Sequence, residues 1–193
     1  MTNAELAILS LIAEQPRHGY EIEKVIEERG MREWTEVSFS SIYYLLGKLE
    51  RQGLVKGHLT TAAGRGPARK VYHATAAGLR AFQAGVLQAL SVPARSYPSL
   101  QLGLACLPGI APDQALAALQ AHGDALAKRL AQVQESWDAQ RPVPYFVDAM
   151  FDHSVTMIQA ELHWIEGFIT QMEAHNGKTG SAERAEAPVP ADE

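Results

Sequence analysis

A mainly α fold with one small β element is the class this sequence predicts, from three observations. Apolar residues recur at i, i+3, i+4 and i+7 through most of the chain, the period of an amphipathic helix. Only residues 54–75 combine two short β-type runs with a Gly- and Pro-containing turn between them. Two long segments in the C-terminal half, 113–140 and 145–175, run without a proline, as long helices do. With 193 residues and 47% hydrophobic composition, the chain can fill one large core or two small ones.

The elements follow in chain order. Thr2 and Glu5 form a T-x-x-E capping box, and Leu6, Leu9, Ile12 and Ala13 then keep helical spacing, so a first helix is predicted over about 3–14, with Pro16 beyond its end. In "YEIEKVIEERG" Ile22, Val25 and Ile26 share a face opposite glutamates, which predicts a second helix over about 20–29 stopped by Gly30. "SFSSIYYLLGKLERQG" offers Ser38, Ser40 and Ser41 as caps and Ile42, Leu45, Leu46 and Leu49 as a stripe, which predicts a third helix from 39 or 40 to 52. "LVKGHLTT" and "ARKVYHAT", joined by "AAGRGP", read as an antiparallel hairpin, and Thr75 caps a fourth helix, "AAGLRAFQAGVLQAL". Three helices plus a β-hairpin wing make a winged helix-turn-helix, assigned to residues 1–90.

An α-helical dimerisation domain is predicted over 91–175. "SLQLGLACL" is a short helix, Pro112 opens a long helix that ends before "RPVP", and 145–175 form a last one. The last helix carries Phe146, Met150, Met157, Leu162, Trp164, Ile165, Phe168 and Met172, which cover more than one narrow stripe. An arc that wide needs cover from more than one side, and a second copy of the chain is the expected cover. Residues 176–193 have no apolar period and are expected to be disordered.

Charge is distributed unevenly. Residues 1–36 hold four basic residues and eight glutamates, 37–80 hold seven basic residues against Glu50 alone, and the rest hold six basic and thirteen acidic. The net charge of −5 therefore hides a local cationic surface of the kind a polyanion needs. The single Cys106, in an apolar stretch, is expected to be buried and inert, and one thiol fits a reducing, cytoplasmic setting. The N-terminus lacks a signal peptide's basic start, and the most apolar later stretch is broken by Pro108, well short of the roughly 20 residues a membrane span needs. No membrane association is expected. The histidines have no paired metal spacing and "GRGPARK" is followed by no G-K-[ST], so neither an enzyme site nor a cofactor or metal is expected.

"SSIYYLLGKLERQGLV" followed by "GRGPARKVYHATAAG" resembles the PadR family of transcriptional regulators. The match runs through Ser41, Tyr43, Leu46, Leu49, Glu50, Gly53 and Leu54, then Gly64, Arg65, Pro67, Arg69, Lys70, Tyr72, Thr75 and Gly78. "HGYEI" matches the start of the family's second helix, and "AELHWIEGFI" looks like the end of its longer subgroup. Gly66 is an added residue, Tyr44 stands where the family usually has Pro, and Ala74 where it usually has Leu. The resemblance implies a homodimer that binds an inverted-repeat operator in double-stranded DNA, as a repressor in the expected case. In some members a small aromatic effector, such as a phenolic acid, releases the DNA.

Helix-turn-helix proteins put the N-terminal end of the second helix of the pair at the base edges of the major groove. The expected DNA contacts are accordingly Ser38, Ser40, Ser41, Tyr43, Tyr44, Lys48 and Arg51 on the third helix, with Arg65, Arg69 and Lys70 on the wing. Ser38 serves equally as a cap. Trp137, His153 and Trp164 are the candidates for an effector site. The residues also admit an alternative, a helical small-molecule or stress sensor whose N-terminal module binds protein instead of DNA.

Overall fold

In the computed structural model, residues 1–35, 37–38, 41–60 and 69–185 are described, Glu33 and 176–185 by their backbone alone. Helix α1 (Asn3–Glu14) begins with the predicted capping box: the Thr2 hydroxyl accepts the Glu5 N–H at 3.2 Å, and the Glu5 carboxylate accepts the Thr2 N–H at 2.7 Å. Helix α2 (Gly19–Glu28) starts with a second box that the sequence did not announce, built on a histidine. His18 Nδ1 accepts the Glu21 N–H at 3.2 Å, and the Glu21 carboxylate accepts the His18 N–H at 2.9 Å. Both arrangements satisfy N–H groups that a helix start leaves without intrahelical partners.

Helix α3 is described as Ser41–Arg51, the predicted start at 39 or 40 lying outside the described residues, and the Ser41 N–H and hydroxyl both donate to the Ser38 carbonyl, at 3.1 and 2.7 Å. It ends in a Schellman motif. The Leu54 N–H donates to the Leu49 carbonyl and the Gly53 N–H to the Glu50 carbonyl, each at 2.9 Å, with Gly53 at φ +70°. That left-handed turn sends the chain straight from α3 into the first strand of the hairpin.

The sheet has three strands, β1 (Arg17–His18), β2 (Val55–Thr60) and β3 (Arg69–Ala74), in the order β1-β3-β2, all antiparallel. Val55 faces Ala74 and Thr60 faces Arg69, so β2 and β3 are the predicted hairpin; its turn, 61–68, lies outside the described residues. The two-residue β1 pairs Arg17 with Tyr72 and His18 with Val71. It was not anticipated, because two residues cannot display an alternation.

The core of this part joins Ile8, Leu9, Leu11 and Ile12 of α1 to Ile22 and Ile26 of α2, to Ile42, Leu45, Leu46 and Leu49 of α3, and to Val55 and Tyr72 of the hairpin. The predicted stripes of α2 and α3 are thus faces that meet, whereas on α1 the predicted Leu9 and Ile12 are joined by Ile8 and Leu11, and the predicted Leu6 and Ala13 are only half-buried. Glu14 clasps the ends of α1 and α2, accepting from Arg29 at 2.7 and 2.9 Å and from Arg17 at 3.0 Å. The Arg29 hydrogen bonds, ahead of its charge, hold this carboxyl below the usual range. Helix α4 (Ala76–Ser91) is capped by Thr75, whose hydroxyl accepts the Gly78 N–H at 3.0 Å and donates to the Gly53 carbonyl at 2.7 Å.

The chain divides into two compact units, Met1–Ser96 and Tyr97–Glu193. The second contains the short α5 (Ser99–Ala105), α6 (Pro112–Gln140) and α7 (Tyr145–Ala185). Helices α6 and α7 pack along Ala115, Leu119, Val155, Ile158 and Ile165, which are buried, and Gly123 leaves room for Ile165 and Leu162 against α6. At the hairpin end Trp137 stacks on Phe151 with centroids 5.9 Å apart, takes the Arg141 guanidinium on its ring at 4.3 Å, and donates to Asp148 at 2.8 Å. Helix α7 continues to Ala185, past the start of the tail expected to be disordered; no proline interrupts 176–185, although Gly177 and Gly180 favour the helix little, and 186–193 lie outside the described residues. Cys106 is exposed rather than buried, because α5, which it follows, has no buried residue.

Candidate nucleic-acid interface

The stripe Ile42, Leu45, Leu46 and Leu49 fastens α3 to the core, which turns Tyr43 and Tyr44 outward, 60% and 63% exposed. These phenols stand near the N-terminal end of the helix, where a groove-reading side chain has to be. Tyr43 lines an open cavity of about 370 Å³ together with His18, Gly19 and Tyr20 from the start of α2, and Arg69, Lys70 and Tyr72 from the wing. Three phenols, an imidazole and two cations converge there from the recognition helix, the preceding helix and the hairpin.

The cations are held in particular ways. Arg69 Nη1 lies 3.4 Å from His18 Nε2, which ties the wing strand to the α2 start. Lys70 donates to Glu50 at 2.6 Å and stands 5.4 Å from the centroid of the Tyr72 ring. Glu50 also accepts the Gly57 N–H at 3.0 Å, and its hydrogen bond from Lys70 is the main reason its carboxyl is held below the usual range. The lone acidic residue of the basic segment is therefore a strut between α3 and the wing. Arg51 bends back, its Nε donating to the Gly47 carbonyl at 3.2 Å.

Lys48 departs from its expected role. Its ammonium lies 2.6 Å from Glu5, whose side chain is only 5% exposed. A buried carboxylate without a counter-charge is costly, so this lysine neutralises Glu5 inside the protein before it can serve DNA. The hydrogen bond between them lowers the Glu5 pKa and raises that of Lys48. Ser41 spends its hydroxyl on the Ser38 carbonyl, and Ser38 is exposed. Ser40 and Arg65, both expected among the DNA contacts, lie outside the described residues.

Of the residues expected at a dimer interface, Phe146, Met150, Met157 and Trp164 are exposed, and Leu162, Phe168 and Met172 are half-buried. Ile165 is a correction: it is 0% exposed, packed beside Gly123 in the seam with α6, and has no surface left for a partner. Trp164 stacks on Phe168 with centroids 5.2 Å apart, and with Ala160, His163, Gly167 and Gln171 they line a groove of about 400 Å³ along α7. The proposed effector residues are not brought together. Trp137 is engaged at the hairpin end of α6, and His153 and Trp164, eleven positions apart on one helix, are separated by about 16 Å of helix rise.

His18, Gly19, Tyr20 and Tyr72 are the cavity residues that sequence reasoning did not select. The signal was "HGY" before a helix and a tyrosine in a strand; neither is polar enough in pattern to stand out.

Residues 8–84 match the model of the "Transcriptional regulator PadR-like family". None of the curated proteins matches the chain. Among solved structures, the chain is similar to Bacillus subtilis PadR in complex with p-coumaric acid (17% identical, TM-score 0.72, covering 89% of this chain and 99% of that one). It is similar also to Bacillus subtilis PadR in complex with operator DNA (19%, TM-score 0.70, 87% and 98%) and to the PadR-like regulator BC1756 from Bacillus cereus (16%, TM-score 0.62, 89% and 99%). These likenesses establish the winged-helix fold with its C-terminal helices. The family match lies on residues 8–84, which hold most of α1, the helix-turn-helix and the wing, and the PadR-like family it points to consists of transcriptional regulators, not enzymes.

Proposed function

We propose that this regulator is a cytoplasmic repressor that binds an inverted-repeat operator as a homodimer and is released by a small aromatic effector. The observation that carries the DNA-binding part is the convergence of Tyr43, Arg69 and Lys70 on one open, cationic and aromatic cavity. In this reading residues 1–90 meet DNA: Tyr43 and Tyr44 meet base edges, Arg69, Arg51 and Arg65 meet phosphates, and Lys70 and Lys48 reach phosphates only by sharing their charge with Glu50 and Glu5. Ser38, Ser40 and Ser41 sit at the same helix end. Residues 91–175 supply the two-fold contact and the effector site. Support for the effector class comes from the relative crystallised with p-coumaric acid, and the aromatic groove at Trp164 and Phe168 suits a flat apolar ring.

Two substitutions separate the roles. Arg69→Ala should weaken binding to an operator duplex and to random duplexes alike, by about tenfold in a dimer that loses two phosphate contacts, whereas Tyr43→Ala should mainly flatten the preference between the two duplexes. Fluorescence anisotropy on both duplexes reads the difference, and an Arg69→Ala protein with unchanged random-duplex affinity would remove the wing from the interface.

The dimer rests on the apolar side chains of α7 that α6 leaves wholly or partly uncovered, Phe146, Met150, Met157 and Trp164 together with the half-buried Phe168 stacked on Trp164. A few large side chains carry most of such a contact, and truncating one costs on the order of 2 kcal/mol or more. A carboxylate in its place costs further, because the charge is desolvated. Phe168→Asp is expected to sediment as a monomer and to lose operator affinity with the paired half-sites. If it remains a dimer with unchanged affinity, another surface forms the contact.

A further inference from the structure

We propose that Gly19 is a positioning residue for the recognition helix: the missing side chain at the start of α2 is the seat of the Tyr43 ring. The inference rests on the DNA-binding reading and goes beyond it, since Gly19 itself need touch no DNA. Gly19 is buried, and a Cβ built on it would stand 2.5 Å from Tyr43 Cε1, 2.9 Å from Cζ and 3.1 Å from the hydroxyl oxygen. Real Cβ atoms do not approach other atoms at such distances, so the ring lies where only a glycine permits it. Backbone freedom does not explain this glycine. Among the described residues only Gly30 and Gly53 have positive φ, so any amino acid could adopt the conformation of Gly19.

What gives way on adding a methyl group is decided by what it meets. The atoms in the way belong to the far end of a side chain that is 60% exposed, while the backbone of α2 is fixed by the His18–Glu21 box and that of α3 by four core residues. The ring therefore moves and the helices stay. Relief of the closest approach needs a shift of about 1 Å, twice the roughly 0.5 Å within which a binding constellation must be held. The phenol would leave its place beside Arg69, Lys70 and Tyr72 in the shared cavity, and the groove-facing surface of α3 would change without loss of the fold.

The test is a double-mutant cycle on the full chain with Gly19→Ala, Tyr43→Ala and both together. The probes are a duplex selected from fragmented genomic DNA and a random duplex, with thermal melting of each protein alongside. Gly19→Ala should reduce the preference for the selected duplex by about tenfold, similar to Tyr43→Ala, with its melting temperature retained. In the Tyr43→Ala background it should cost nothing more, since the ring it displaces is gone. An equal loss in both backgrounds overturns the proposal, as does a wild-type preference in Gly19→Ala while Tyr43→Ala loses its own. A lowered melting temperature that Tyr43→Ala does not recover overturns it too, because the glycine would then serve the fold. A wild-type protein without preference for any duplex overturns the DNA-binding reading itself, which is a different result from these.

Discussion

Gly78→Ala is expected to destabilise the N-terminal unit by about 2–3 kcal/mol, the upper part of the range for overpacking a tight site. A Cβ at this position would fall onto the carbonyl oxygen of Leu54 and 2.9 Å from its carbon. Both are backbone atoms, and they cannot swing aside as a side chain can. The same carbonyl accepts the Thr75 N–H at 3.0 Å and the Thr75 hydroxyl at 3.2 Å, so moving it away would also loosen the cap of α4. Wing, recognition helix and α4 meet at this point, and all three depend on the close approach. For a unit of about this size the loss corresponds to a melting temperature lower by roughly 10–20 °C. Amide hydrogen exchange at Ile8, Leu46 and Leu49, which are fully buried, would read it as a matching loss of protection. Gly47→Ala is the control: nothing lies within 4 Å of its Cβ position, and a mid-helix alanine should add up to about 1 kcal/mol. Equal stability for the two variants would contradict the packing described at Gly78.

What the sequence made legible was periodic or chemically signed. The stripe of α3, the Thr2–Glu5 box, the Gly53 stop and the wing strands all follow from residue types at fixed offsets, and each is found where it was expected, while on α1 only Leu9 and Ile12 of the expected stripe enter the core. The His18 cap, β1 and the seat of Tyr43 on Gly19 were not legible, because each joins residues through the fold. A glycine that accommodates a ring 24 positions away leaves no local trace.

Charge was legible only in aggregate. The basic excess of residues 37–80 is plain in the sequence, but which cations face outward depends on where the few carboxylates end up. Glu5 lies outside that segment and yet binds Lys48. Glu50, inside it, takes Lys70. Likewise the apolar arc of α7 was correctly broad, but the division between α6-facing and outward positions needed the helix pairing, which assigns Ile165 to the first and Trp164 to the second.

The second large effect concerns salt. A dimer presenting two wings and two recognition helices would neutralise on the order of 6 to 10 phosphates, and the release of their counterions gives a log–log salt slope of about −5 to −9. Between about 50 and 200 mM salt this is a fall in affinity of roughly 10³- to 10⁵-fold. The protein as a whole is anionic, with a net charge of −5, so this dependence cannot arise from its overall charge and has to come from the cationic face of α3 and the wing. The direct measurement is the affinity of the intact protein for a duplex enriched from fragmented genomic DNA, titrated across salt beside a scrambled duplex of equal length. The account predicts a steep slope for both duplexes and binding of the enriched one tighter by about 10³-fold or more. A slope shallower than about −2, or equal affinity for the two duplexes, would contradict it.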